Sequence, residues 1–148
     1  MLDPIIRMKL RNQAYIIFNY MDTIISIGRR KASVARIFLT KGKGNISVNG
    51  RDYKSYFPLP HVQYSIEHPL KLVNFGKDYD IKINVSGGGF KGQAEAVRLA
   101  IARALVKLDE ENKPPLKEHK YLTRDARVVE RKKYGKPKAR KSFQFSKR

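Results

Sequence analysis

The most regular pattern along the chain is an alternation. Ile81, Ile83 and Val85 interleave with Lys82, Asn84 and Ser86, the period-two signature of a strand with one buried face. A helical period follows. Between Lys91 and Asp109, Ala94, Val97, Ile101, Leu105 and Leu108 recur at helical spacing, and Leu99, Ala102 and Val106 widen the stripe. This helix is expected to be the main slab packed on a sheet. Upstream, Thr23 to Gly28 and Val34 to Thr40 read as strands. Asn45 to Val48 reads as a shorter strand between the turn signals Gly42-Lys43-Gly44 and Asn49-Gly50. Asp52 to Phe57 reads as one helical turn stopped by Pro58, and His61 to Glu67 as a further helix. Asn112-Lys113-Pro114-Pro115 breaks the long helical pattern, and Arg124 to Lys133 reads as a short basic helix. The expected fold class is α+β, a small sheet packed by helices, followed by an extended basic C-terminal tail.

Three segments are expected. Residues 1–20 show no clean period and no capping signals, and regularity begins at Met21. They read as an upstream extension; an organelle-targeting peptide is the alternative, against which stands the absence of Ser. Residues 21–119 form the body and residues 120–148 the tail.

Charge sets the class of partner. Lys and Arg number 32 against 13 Asp and Glu, a formal net charge of +19. Surfaces tuned only for solubility typically carry about 2–8 charges. Repulsion on this scale opposes a compact chain, and a polyanion relieves it. From Lys120 onward there are 12 cations and only two acids, Asp125 and Glu130. Such a segment buries too little apolar surface to fold alone. It should order against something negative, with Tyr134, Phe143 and Phe145 available to stack on bases. The tail cations Arg124, Arg127, Arg131, Lys132, Lys133, Lys136, Lys138, Arg140 and Lys141 are therefore expected RNA ligands. No Cys is present, which excludes disulfides, thiol catalysis and Cys-ligated zinc. No apolar run is long enough to span a bilayer, so no membrane partner is expected.

Few constellations suggest other chemistry. Gly87, Gly89 and Gly92 match G-x-G-x-x-G between a strand and a helix, the setting of a dinucleotide-binding turn. Such a unit needs a second strand carrying an acid to the ribose, but Asp109, Glu110 and Glu111 fall at the helix end with no strand after them. The loop reads better as a phosphate contact assisted by Lys91, or as glycines required for close packing. Gly28-Arg29-Arg30-Lys31 reads as the link between the first two strands, its three cations meeting RNA phosphate. Arg36 either reaches out from one face of its strand or pairs with an acid across the sheet. His61, His68 and His119 read as surface or packing residues, and Asp78 with Asp80 makes no acid/base pair. Glu95 in the first helical turn suits the helix dipole. Nothing argues for catalysis, and no cofactor or metal is implied.

Four blocks, taken together, resemble the ninth protein of the bacterial-type small ribosomal subunit. They are Gly28-Arg29-Arg30-Lys31 with Ala35-Arg36; Gly87-Gly88-Gly89 with Gly92-Gln93-Ala94; Leu122-Thr123-Arg124-Asp125-Ala126-Arg127 with Glu130-Arg131-Lys132-Lys133; and Phe143-Gln144-Phe145-Ser146-Lys147-Arg148. Their order and spacing resemble the family's from Thr23 to the last residue. The resemblance implies a left-handed β-α-β crossover, contrary to the general rule. It implies a body on the head of the small subunit, bound to its ribosomal RNA beside neighbouring head proteins. It also implies a tail threading toward the decoding centre, with Lys147 and Arg148 meeting the anticodon stem-loop of the peptidyl-site transfer RNA. The implied location is a cytoplasmic ribosome of bacterial type, an organellar one remaining open. A free-standing nucleic-acid chaperone or DNA-packaging factor would share the charge and the tail but would not require these four blocks.

Overall fold

The computed structural model describes residues 23–76 and 78–147. The expectations for residues 1–20 and for Arg148 lie outside them. Five strands, β1 (Ile24–Arg30), β2 (Ser33–Lys41), β3 (Ile46–Val48), β4 (Arg51–Asp52) and β5 (Tyr79–Ser86), form one sheet in the order β1-β2-β5-β3-β4. The helices are α1 (Tyr53–Tyr56), α2 (Pro60–Leu72), α3 (Phe90–Leu108) and α4 (Lys113–Glu118), with a 3-10 turn at Glu110–Asn112. The α+β class is as expected. β3 and β5 pair in parallel, so the chain between them, through β4, α1 and α2, is a β-α-β crossover.

The periods fall where the sequence puts them. Ile81, Ile83 and Val85 of β5 face inward and Ile83 is fully buried, while Lys82, Asn84 and Ser86 are exposed. Ala35, Ile37 and Leu39 of β2 join them under Ala94, Val97, Ile101 and Leu105 of α3. Val62 and Ile66 of α2, Phe57 and Leu116 close the core. Burying each of these larger side chains stabilises the fold by about 1.5–3 kcal/mol.

β1 runs the other way. Its inward residues are Ser26, Gly28 and Arg30, and its isoleucines Ile25 and Ile27 are about 40% exposed. The reason is the approach of α3. A Cβ on Gly28 would lie 2.0 Å from the Ala96 carbonyl oxygen and 2.7 Å from the Ala100 nitrogen. Only small residues let a helix lie this close to a strand. The outer edge of β1 is covered in part: Lys107 Nζ donates to the Ile25 carbonyl and Arg103 Nη1 to the Ile27 carbonyl, each at 2.8 Å.

Several local expectations need correction. The strands β1 and β2 are joined by Lys31-Ala32 alone, so Gly28, Arg29 and Arg30 belong to β1 rather than to a link. The second helix continues past Pro69 to Leu72 because its apolar face, Val62, Ile66 and Pro69, stays buried. Pro114 and Pro115 open α4, since prolines in a first turn give up only N–H groups that have no helical partner there, and Leu116 is fully buried behind them. Residues 124–133 form no helix. Val128 and Val129 are 72% and 84% exposed, so the segment has no apolar face to pack, and packing is what sustains most protein helices.

Candidate nucleic-acid interface

The glycine loop is built for packing. Gly87 and Gly88 have φ of +72° and +64°, and a Cβ there would meet the Ala32 carbonyl oxygen at 2.4 Å and Ser33 Oγ at 2.1 Å. The loop is thus pressed on the β1–β2 turn, and Ser33 Oγ donates to the Gly87 carbonyl at 3.1 Å. No strand follows α3 among the described residues, and the Asp109 side chain accepts from the Glu111 N–H, capping the 3-10 turn. The dinucleotide reading therefore has neither its second strand nor its ribose acid. Lys91 stands exposed at the start of α3.

Asp80 is likewise structural. Its Oδ1 accepts from the N–H groups of Asn45 and Lys43 at 2.8 and 2.9 Å, and these bonds hold its carboxyl below its ordinary range. His68 and His119, far apart in sequence, come within 5.8 Å. His68 Nδ1 is 2.8 Å from the Tyr121 hydroxyl, and the His119 ring stacks on Tyr121. His61 is exposed, and no group of three metal-ligating side chains forms among the described residues.

The Gly-Arg-Arg-Lys block divides. Arg29 and Lys31 are exposed, but the Arg30 side chain is only 10% exposed and all three of its guanidinium nitrogens have partners. Nε donates to Glu95, Nη2 lies 3.0 Å from Asp125 Oδ2, and Nη1 donates to the Arg127 carbonyl at 2.6 Å. Arg30 therefore clasps the root of the tail to the body. Arg127 reinforces the clasp by a fork onto Asp125, its Nη2 at 2.8 Å from Oδ2. Tyr121 and Leu122 pack against the core, and the Arg98 guanidinium lies 5.1 Å from the Tyr121 ring centre. Arg29, Arg98, Lys120, Thr123 and Arg127 then surround a recess of about 170 Å³ beside the clasp. The sequence reading missed Arg98 and the partners of Arg30. The helical offset of three between Glu95 and Arg98 was visible, but nothing in the sequence brings Arg30 to them.

The clasp has a pH signature. The Arg127 side chain, then its backbone N–H, and the charge of Arg30 hold the Asp125 carboxyl well below the usual carboxylate range. A depressed folded value means that the contribution is complete above the unfolded value, about 3.9, and vanishes only as pH falls through the folded one. The root of the tail should therefore stay docked through mild acid, with Glu95 and Arg30 as its other charged neighbours. The Arg127 amide resonance of wild type, followed by NMR down the acid limb, should move later than that of exposed amides. In Asp125→Asn it should show the undocked shift already at neutral pH; an undisturbed resonance in that variant would refute the clasp.

Beyond Lys120 no helix or strand forms through Lys147. Arg124, Arg131, Lys132, Lys133, Lys136, Lys138, Arg140, Lys141 and Lys147 are all exposed, as are Tyr134, Phe143 and Phe145. Glu130 engages two of the cations, Arg140 at 2.8 Å and Lys133 at 3.1 Å, and they hold its carboxyl below the ordinary value. On the body, Arg36 is exposed and has no acid partner among the described residues. No helix there is long and apolar enough to cross a membrane.

Comparison with known proteins places this architecture. The family profile described as Ribosomal protein S9/S16 matches residues 28–148. The Small ribosomal subunit protein uS9 of Porphyromonas gingivalis is 59% identical over 128 residues, which is 86% of this chain and 100% of that protein. The protein of the same name from Cytophaga hutchinsonii is also 59% identical over the same shares, and that of Parabacteroides distasonis 55%. With the glycine loop, the basic block and the tail blocks all inside the matched region, the chain belongs to the ribosomal protein S9/S16 family.

Proposed function

We propose that this chain is a structural, non-enzymatic component of the small ribosomal subunit in a bacterial cytoplasm. Its body binds ribosomal RNA among the proteins of the subunit head. Its tail runs along RNA, and Lys147 with Arg148 reaches the anticodon stem-loop of the peptidyl-site transfer RNA. The observation that carries this reading is the tail itself. From Val128 to Lys147 it has eight cations and one acid, no regular structure, and aromatic rings up to 94% exposed. Such a segment gains nothing by folding on its own chain and much by lying on a polyanion. Family membership supports the subunit assignment.

The test is sedimentation of the tagged chain with small subunits through a high-salt gradient. Stoichiometric retention is expected. Release to the top, with nucleic acid bound only at low salt, would instead indicate a free nucleic-acid binder. Deleting Lys147 and Arg148 should leave retention intact and weaken peptidyl-site transfer RNA binding. A hydrogen bond to a charged group is worth about 1.5–3 kcal/mol, so the expected loss is roughly ten-fold or more. Unchanged affinity and unchanged frame maintenance would refute the tail's contact.

A further inference from the structure

The helices cover one face of the sheet, and the opposite face of β1, β2 and β5 is open among the described residues. The strand register lays out its side chains as three rows: Ile25–Phe38–Lys82, Ile27–Arg36–Asn84 and Arg29–Val34–Ser86. The three cations fall on one diagonal of this grid, one on each strand. Rows two residues apart and strands about 4.8 Å apart put successive cations about 8 Å from each other. No acid stands in the grid, and none of the three has an ion-pair partner among the described residues. The corner beside the diagonal is apolar: Ile25, Ile27 and a partly exposed Phe38 lie together.

We propose that this open face is where the body lies on ribosomal RNA, with Arg29, Arg36 and Lys82 on phosphates and Ile25, Ile27 and Phe38 against sugar and base. The inference rests on the ribosomal RNA reading above and adds where on the body the RNA lies. Three unneutralised cations in line repel one another, and a phosphate backbone is the partner that turns the line into attraction. RNA also accounts for the apolar corner, since exposed sugars and bases are met by aromatic and aliphatic side chains. An acidic protein would satisfy the charges as well, and the experiment separates the two.

Full-length wild type and the triple variant R29Q/R36Q/K82Q would be titrated onto small-subunit ribosomal RNA over a salt series. Both would also be tested for incorporation into subunits. A charge-matched control, K54Q/K113Q/K117Q, neutralises three exposed lysines away from this face. The expected result is a slope of log affinity on log salt that falls by about two to three units in the triple variant and by less than one in the control. The thermal midpoint should not fall, because all three side chains are exposed and hold no ion pair among the described residues. Wild-type binding with an unchanged slope in the triple variant would overturn the proposal. So would a triple variant that binds naked RNA as wild type does but fails to enter subunits, since a protein would then cover the face. Wild type that binds no ribosomal RNA at all would refute the functional reading itself, and this inference with it.

Discussion

A chain ended after Arg127 should bind small-subunit ribosomal RNA with most of its salt dependence gone. The removed segment carries nine cations against one acid, Glu130. Each phosphate neutralised contributes about 0.7–0.9 to the slope of log affinity on log salt, so the slope should fall by about six. Full-length chain making contacts on that scale loses roughly 10³–10⁵-fold in affinity between about 50 and 200 mM salt. The shortened chain should lose far less, and the two should converge at high salt. The body should melt where it did before, because Val128, Val129, Tyr134, Phe143 and Phe145 are all more than 70% exposed. The cut also leaves Arg30, Asp125 and Arg127 in place, so the clasp survives. Parallel salt plots for the two chains would mean that the tail does not lie on RNA.

Gly28→Ala should strongly destabilise the body. The added carbon meets backbone on both sides, the Ala96 carbonyl oxygen and the Ala100 nitrogen, and neither can rotate away. Helix α3 would have to lift off β1, opening the contact along Ala96 and Ala100. Overpacking ordinarily costs about 1–3 kcal/mol, and a clash with backbone belongs at or above the upper end. Against a total stability of about 5–15 kcal/mol, that is a large fraction. Gly50→Ala is the control. Gly50 has φ of +79° with nothing within 4 Å of the new carbon, so only the left-handed backbone preference is lost, about 1–2 kcal/mol. Urea midpoints of the two variants separate the cases, and equal losses would mean that the closeness of α3 to β1 is not what Gly28 serves.

Periodicity carried the sequence reading wherever one face was apolar and the other polar. β5 and α3 are the clearest examples, and together they fix the sheet-and-helix class. β1 shows where that reasoning stops. Its two phases, Ser26 with Gly28 and Ile25 with Ile27, alternate equally well, and hydrophobicity alone points the isoleucines inward. The small residues face in because a particular helix lies over them, and that is a tertiary fact. The stretch from Arg124 to Lys133 misleads for the opposite reason: its residues tolerate a helix, but no neighbour offers a surface to stabilise one. The site divides along the same line. The basic block and the tail were legible as charge, but the separation of Arg29 from Arg30 was not. It depends on Glu95 and Asp125, 65 and 95 residues further on, meeting one guanidinium. Lys82 looked like the polar half of an alternation until the register set it in line with Arg29 and Arg36.

The two side chains that reach over the rim of β1 have a bearing on how copies of the chain meet. An uncovered border strand is a template on which a second copy can stack. Lys107 and Arg103 occupy the carbonyls of Ile25 and Ile27 and set two positive charges where an incoming strand would lie. A copy approaching rim to rim meets blocked acceptors and like charge together. At this border, then, two acceptors that a second copy would need are taken, and like charge opposes its approach.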